Sequence, residues 1–192
     1  HVWGRGTMIS SSTLHVVATE LVVGAFALAG VAFSICLVAP TLKSTMAEKL
    51  RSSDAVAHSA MLFGLLATPF AIWTGLASAP TGDMSSPVLA NKMLLSLSGL
   101  GLASGVLLAR WRNGSSIWDN QRTRIVQGIS GIGATGLMLL TASAGGTFSR
   151  GESLLDWLNL PYNEVLLMPT ALSAILLVVG LTCSVIGLRS SA

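Results

Sequence analysis

The chain has 192 residues, 52% of them hydrophobic and only 10% charged, with a mean hydropathy of +0.71 and a formal net charge of +3. An ordinary soluble domain does not have this composition, so one is excluded. The basic excess forms no stripe interleaved with aromatics, and no zinc, nucleotide or phosphate motif occurs, so no nucleic-acid partner is expected.

The chain begins at His1 without an initiator Met, which is expected either from loss of an upstream segment such as a signal peptide or from a true start at Met8. Five apolar runs follow, roughly Glu20–Leu42, Ala55–Ala79, Pro87–Ala109, Ile125–Gly145 and Val165–Leu188. About 20 apolar residues span the hydrocarbon, so each run is long enough to cross a bilayer. They predict one membrane domain over residues 1–192, an all-α bundle of five transmembrane helices at about 15–42, 55–79, 87–109, 125–145 and 165–188.

Ser10, Ser11, Ser12 and Thr13 offer N-cap oxygens for the first helix, and Pro40 marks its end. Leu42, Met46 and Leu50 recur every four residues and predict a short interfacial helix over 42–51, with Asp54 as the N-cap of the second membrane helix. That helix contains Pro69, where a kink is expected, with Thr68 beside it to re-satisfy the backbone. The turn-rich stretch Pro80–Pro87 predicts that helices two and three form an antiparallel hairpin.

Helix three carries Gly101 and Gly105 in a small-xxx-small pair, and helix four carries Gly128, Gly131 and Gly133. Small residues let backbones approach closely in lipid, so these two helices are expected to pack tightly, with each other or with a partner. The loop Arg110–Arg124 holds four arginines with Trp111 and Trp118 and reads as an interfacial belt and topology signal. The competing reading is a docking surface for an acidic partner or anionic lipid headgroups. A second interfacial helix is expected over 152–159, ended by Asn159-Leu160-Pro161. Cys36 and Cys183 are expected to be reduced and buried.

Counting Lys and Arg in alternate gaps puts Lys43, Lys49, Arg51, Arg110, Arg112, Arg122, Arg124 and Arg189 on one side, against Arg5, Lys92 and Arg150 on the other. The positive-inside rule then predicts the N-terminus outside and the C-terminus inside. Few polar groups lie in the predicted spans. Glu20 is the deepest carboxylate, and its expected partner is Lys92, a structural ion pair joining helices one and three. His15 and His58 open opposite ends of helices one and two, about 30 Å apart, so they cannot hold one b-type haem within a single chain. His15 with Met84 and Met93 remains a candidate copper or haem ligand set on the outer side, where Asp83 and Met168 also lie. No nucleophile–base arrangement rises above chance, so an autonomous enzyme is not expected.

Three features together resemble the uncharacterised four-helix bacterial and archaeal membrane family DUF2231: His15 opening the first helix, the Gly64…Gly75 helix ending in a glycine-containing turn, and the exit Gly145-Gly146-Thr147-Phe148-Ser149-Arg150-Gly151. The resemblance runs from about His15 to Trp157 and leaves out the fifth helix. It implies a multi-helix membrane fold more than an activity. Where that family tends to carry a His near the start of its third helix, this chain has Asn91.

The expected function is a small non-catalytic membrane subunit, in the plasma membrane, packing with other membrane subunits and lipids as a homo- or hetero-oligomer. The expected host is a redox assembly of the respiratory or copper membrane monooxygenase type. Two other classes compete: a haem- or copper-binding redox protein using the outer face, and a small transporter or channel using Glu20, Lys92 and Pro69.

Overall fold

A computed structural model describes residues 9–39, 46–78, 86–153 and 155–189. Five α-helices run in chain order: α1 Ser11–Val38, α2 Met46–Ser78, α3 Pro87–Asn113, α4 Gln121–Arg150 and α5 Thr170–Arg189. Short 3-10 turns occupy Gly114–Trp118 and Asp156–Leu158, and no strand occurs among the described residues. Among the described residues four helices are long and apolar enough to cross a membrane: α1, Leu50–Ser78 of α2, α3 with its following turn, and α4. The fifth is shorter, with its apolar stretch over Thr170–Ile186.

Local chemistry accounts for the helix ends. Ser10 caps α1, its Oγ accepting from the Thr13 N–H at 3.2 Å. Pro87 opens α3 at a position where its missing N–H costs nothing. Gly114 (φ 58°) ends α3, and Gly151 (φ 76°) ends α4 in the left-handed conformation that glycine adopts without Cβ strain. Between them, Asn120 caps α4 by accepting from the Arg122 N–H at 2.8 Å.

Two expected helices change form. No breaker separates Met46 from Asp54, so α2 is continuous from Met46, and Asp54 lies two turns inside it rather than capping it. The described part of the predicted 42–51 helix is therefore the first turn of α2, while residues 42–45 fall outside the described residues. At 152–159 only the single turn Asp156–Leu158 forms, because Asn159 takes a left-handed conformation (φ 47°) and Pro161 follows. Thr68 Oγ bonds the Gly64 carbonyl at 2.7 Å, one residue before Leu65, whose carbonyl Pro69 deprives of its usual helical donor.

The helices pack in the lateral order α2, α1, α4, α3, α5, and α2 touches α3 only sparsely. The expected α2–α3 hairpin is thus the loosest side of the bundle, and α1–α2 is the closest. The core runs between α1, α2, α3 and α4 through Phe26, Phe33, Met61, Ala103 and Met138. A smaller cluster of Val88, Leu95, Ala144 and Tyr162 seats the segment before α5. Cys36 is buried, whereas Cys183 is exposed, which corrects the expectation for the latter; both are free thiols.

Glycines set the close approaches, but not all where the small-xxx-small pattern predicts. A Cβ on Gly101 would strike the backbone of Leu176 and Leu177, and one on Gly180 would strike the backbone of Gly101. Gly101 therefore serves the α3–α5 crossing, not α3–α4. Gly105 has nothing within 4 Å of where its Cβ would sit, so the pair Gly101/Gly105 is not a packing motif within this chain. Gly128 and Gly131 make room for Leu37 and Phe33 of α1, and Gly133 faces Leu102 of α3 at 3.3 Å. The α3–α4 contact does form, with Gly99 against Met138.

Candidate functional site

The densest polar cluster lies at the end of the bundle that carries Arg110, Arg112, Arg122 and Arg124, called here the basic end. Its centre is the Asp54 carboxylate, a buried group on α2. Arg110 of α3 donates through Nε to both oxygens (3.0 and 2.9 Å) and through Nη2 to Oδ2 (2.6 Å). Trp118 donates through Nε1 to Oδ1 at 2.7 Å. His58, one turn along α2, places Nδ1 2.9 Å from Oδ1 and from the Asp54 carbonyl. One carboxylate thus joins α2, α3 and the turn before α4. A buried charge tolerates low-dielectric surroundings only when paired and hydrogen-bonded in this way.

Gln127 extends the network to α4. Its side-chain nitrogen donates to the Val106 carbonyl at 2.9 Å and lies 2.8 Å from His58 Nε2. An amide nitrogen only donates, so the network assigns His58 Nε2 as acceptor and places the ring proton on Nδ1, facing Asp54. Both ring nitrogens are then engaged. Phe33 packs edge-on against the imidazole with centroids 5.0 Å apart, and the Trp118 ring lies 6.2 Å away.

The opposite end, called here the far end, is built on a neutral amide. Asn91 is fully buried on α3; its Nδ2 donates to the carbonyls of Tyr162 (2.9 Å) and Val165 (2.8 Å), and its Oδ1 accepts from the Leu167 N–H (2.7 Å). Ser173 adds a bond to the Leu94 carbonyl at 2.9 Å. Asn91 is therefore a clamp on the α4–α5 connection. Nearby, Ser143 and Ser153 share a 2.7 Å hydroxyl contact, and Ser153 donates from both Oγ and N–H to Asp156. Those two bonds hold the Asp156 carboxyl below the usual carboxylate range. Burial, reinforced by the Asp156 charge, pushes the Tyr162 phenol up despite its Ser143 hydrogen bond.

The residues singled out from sequence fall as follows. His15 is half-buried and turned to α2, with Nδ1 3.0 Å from the Ala71 carbonyl and 3.3 Å from Thr74 Oγ1. Gly75 leaves space for its ring. Glu20 is exposed on α1, and no ion pair joins it to Lys92 among the described residues. Lys92 instead turns inward over Gly145 and interacts electrostatically with His15, with no hydrogen bond or ion pair among the described residues. The expected pair fails because α1 presents Glu20 outward while α3 presents Lys92 inward. Met93 is 51% exposed, while Met84 and Asp83 lie outside the described residues. Among the described residues no group of three or more His, Cys, Asp or Glu is placed to hold a metal ion.

Sequence reasoning missed the basic-end cluster. It assigned Asp54 to a cap, Arg110 to topology and Trp118 to an interfacial belt. Trp118 is buried (4% exposed), whereas Trp111 is 66% exposed, as a belt residue should be. The available signal was Asp54 itself, a carboxylate one turn from His58 beside an apolar run.

No family model, curated protein or solved structure matches the chain.

Proposed function

We propose that this chain is a small, non-catalytic integral membrane subunit that packs within a larger membrane complex of redox type in the plasma membrane, with its basic end inside. The observation that carries this reading is the Asp54 network. Its carboxylate, both His58 nitrogens and the Gln127 amide are all engaged in holding this chain's own helices, which suits a positioning element better than a reacting one. The surface agrees. Helix α5 packs on α3, and Ile175, Val178, Leu181 and Val185 remain 49–60% exposed, an apolar face fitted to lipid or another membrane helix. The basic residues gathered at one end support the orientation.

The test is purification from the native membrane in mild detergent, with identification of co-purifying chains and an absorption spectrum of the assembly. Stoichiometric recovery with other membrane subunits is expected; recovery as a lone monomer overturns the proposal. Cysteine labelling of a Ser115→Cys variant from the inner side alone is the expected topology result.

One observation favours a second reading, a small transporter or channel. Lys92 faces inward beside His15 with no acidic partner among the described residues, and a charge kept in a membrane helix is costly unless used. Proteoliposome flux that is lost in Lys92→Met would support it, and an absence of flux in the unaltered protein would remove it.

A further inference from the structure

The four arginines of the basic end are not equivalent. Arg110 is bound to Asp54. Arg124 turns inward, with its Nε buried and unpartnered. Arg122 differs from both: it lines an open groove of about 240 Å³ between the ends of α3 and α4, and its guanidinium makes no hydrogen bond or ion pair among the described residues. Ala109, Ile117 and Val126 give the groove its apolar lining, and Asn113, Thr123 and Gln127 are the polar neighbours of Arg122 there.

Apolar surface lies next to the groove, farther along both helices. Val126 and Ile129, on one face of α4, are 66% and 58% exposed. On α3, one turn before Ala109, Gly105 has open space where a Cβ would point. A cation with no side-chain partner among the described residues thus sits at the head of an apolar face that extends along α4. Asp119, exposed in the same turn, does not line the groove.

We propose that this groove binds one anionic phospholipid, with Arg122 holding the phosphate and an acyl chain lying along Val126 and Ile129. The charge and the apolar face are complementary to a ligand that is anionic at one end and apolar along its length. Basic pockets between membrane helices bind such headgroups for the same reason. A soluble phosphate would meet the charge but leave the apolar face uncovered. An acidic protein segment would meet the charge without calling for the apolar surface beside it. The proposal does not depend on which complex the chain serves.

Native mass spectrometry of the detergent-purified chain, titrated with phosphatidylglycerol or phosphatidylcholine of identical acyl chains, tests it. One phosphatidylglycerol retained with about a ten-fold preference is expected, corresponding to about 1.4 kcal/mol. Arg122→Gln should abolish the preference and Val126→Trp should lower retention of both lipids, while Arg150→Gln at the far end should change neither. Circular dichroism of each variant checks that it is folded. Equal retention of the two lipids, a preference that survives Arg122→Gln, or full competition by soluble glycerol phosphate would each overturn the proposal. Failure here leaves the subunit reading standing, because co-purification from the native membrane tests that separately.

Discussion

At the basic end, side chains from α2, α3 and the turn before α4 converge on one carboxylate, whereas at the far end a single neutral amide grips three backbone groups of an incoming segment. The first device needs a specific residue at every position, because each donor is a side chain. The second needs only Asn91, since its partners are peptide groups that any sequence supplies. A charged network resists loss of one member poorly, because the remaining charges stay buried. The amide clamp fails more locally, and it releases a loop rather than a bundle end.

The largest expected effect is at Asp54. Asp54→Ala would leave Arg110 and Trp118 without their acceptor and His58 Nδ1 with the residue-54 backbone carbonyl alone, and breaking a buried pair by removing one partner costs about 3–5 kcal/mol. Thermal unfolding in detergent should show a large fall in midpoint. If Asp54→Ala unfolds like the unaltered protein, the network is not what holds that end.

Asn91→Ala should cost less, about 1–3 kcal/mol in total, because the peptide groups it frees belong to a connecting segment that can turn them to water once it loosens. Its distinguishing sign is local: hydrogen exchange should accelerate over residues 162–167 and not at the basic end. Uniform acceleration would erase the contrast between the two ends.

Gly101→Ala drives a Cβ into the α5 backbone, an overpacking change expected to cost about 1–3 kcal/mol. Gly105→Ala meets nothing and should be neutral or stabilising by up to about 1 kcal/mol through helix propensity. Equal effects of the two on the unfolding midpoint would contradict the α3–α5 crossing.

Lys92→Met removes an inward ammonium that has no acidic partner among the described residues and should raise the midpoint, opposite in sign to Arg110→Met, which strips a partner from Asp54. The smallest effect concerns pH. The Asp156 carboxyl titrates lower when folded, so its contribution to the loop is present above its unfolded value and is lost as pH falls through the folded one. Hydrogen exchange in the 153–158 turn should therefore rise, after correction for intrinsic rates, only on acidification below the ordinary carboxylate range. Asp156→Asn should flatten that dependence.

Much of the fold was legible. The runs that become α1 to α4, the capping serine at Ser10, the proline opening α3 and the clustering of arginines at one end are all local or compositional signals. The glycines were legible as close-packing residues but not by partner: Gly101 meets α5, Gly128 and Gly131 meet α1, and Gly105 meets nothing. The site was much less legible. Asp54, His58, Arg110, Trp118 and Gln127 are spread over more than seventy positions, and each has an ordinary local explanation as a cap, a helix-end imidazole, a topology charge or a belt residue. Glu20 and Lys92 made a plausible pair by depth, but depth does not specify direction around a helix axis.

By itself the sequence determined that this protein has helices long and apolar enough to cross a membrane, with Arg110, Arg112, Arg122 and Arg124 gathered in one connection between them. Hydropathy and charge act residue by residue over a window of about 20 positions, so no tertiary information is needed for that. Only the tertiary structure decided that α1 lies between α2 and α4 and that α5 crosses α3 at Gly101 and Gly180. It also decided that Asp54 is the point on which the basic end closes. Those outcomes depend on the rotation of each helix about its axis, which is set by which side chains fit together and not by how apolar each segment is.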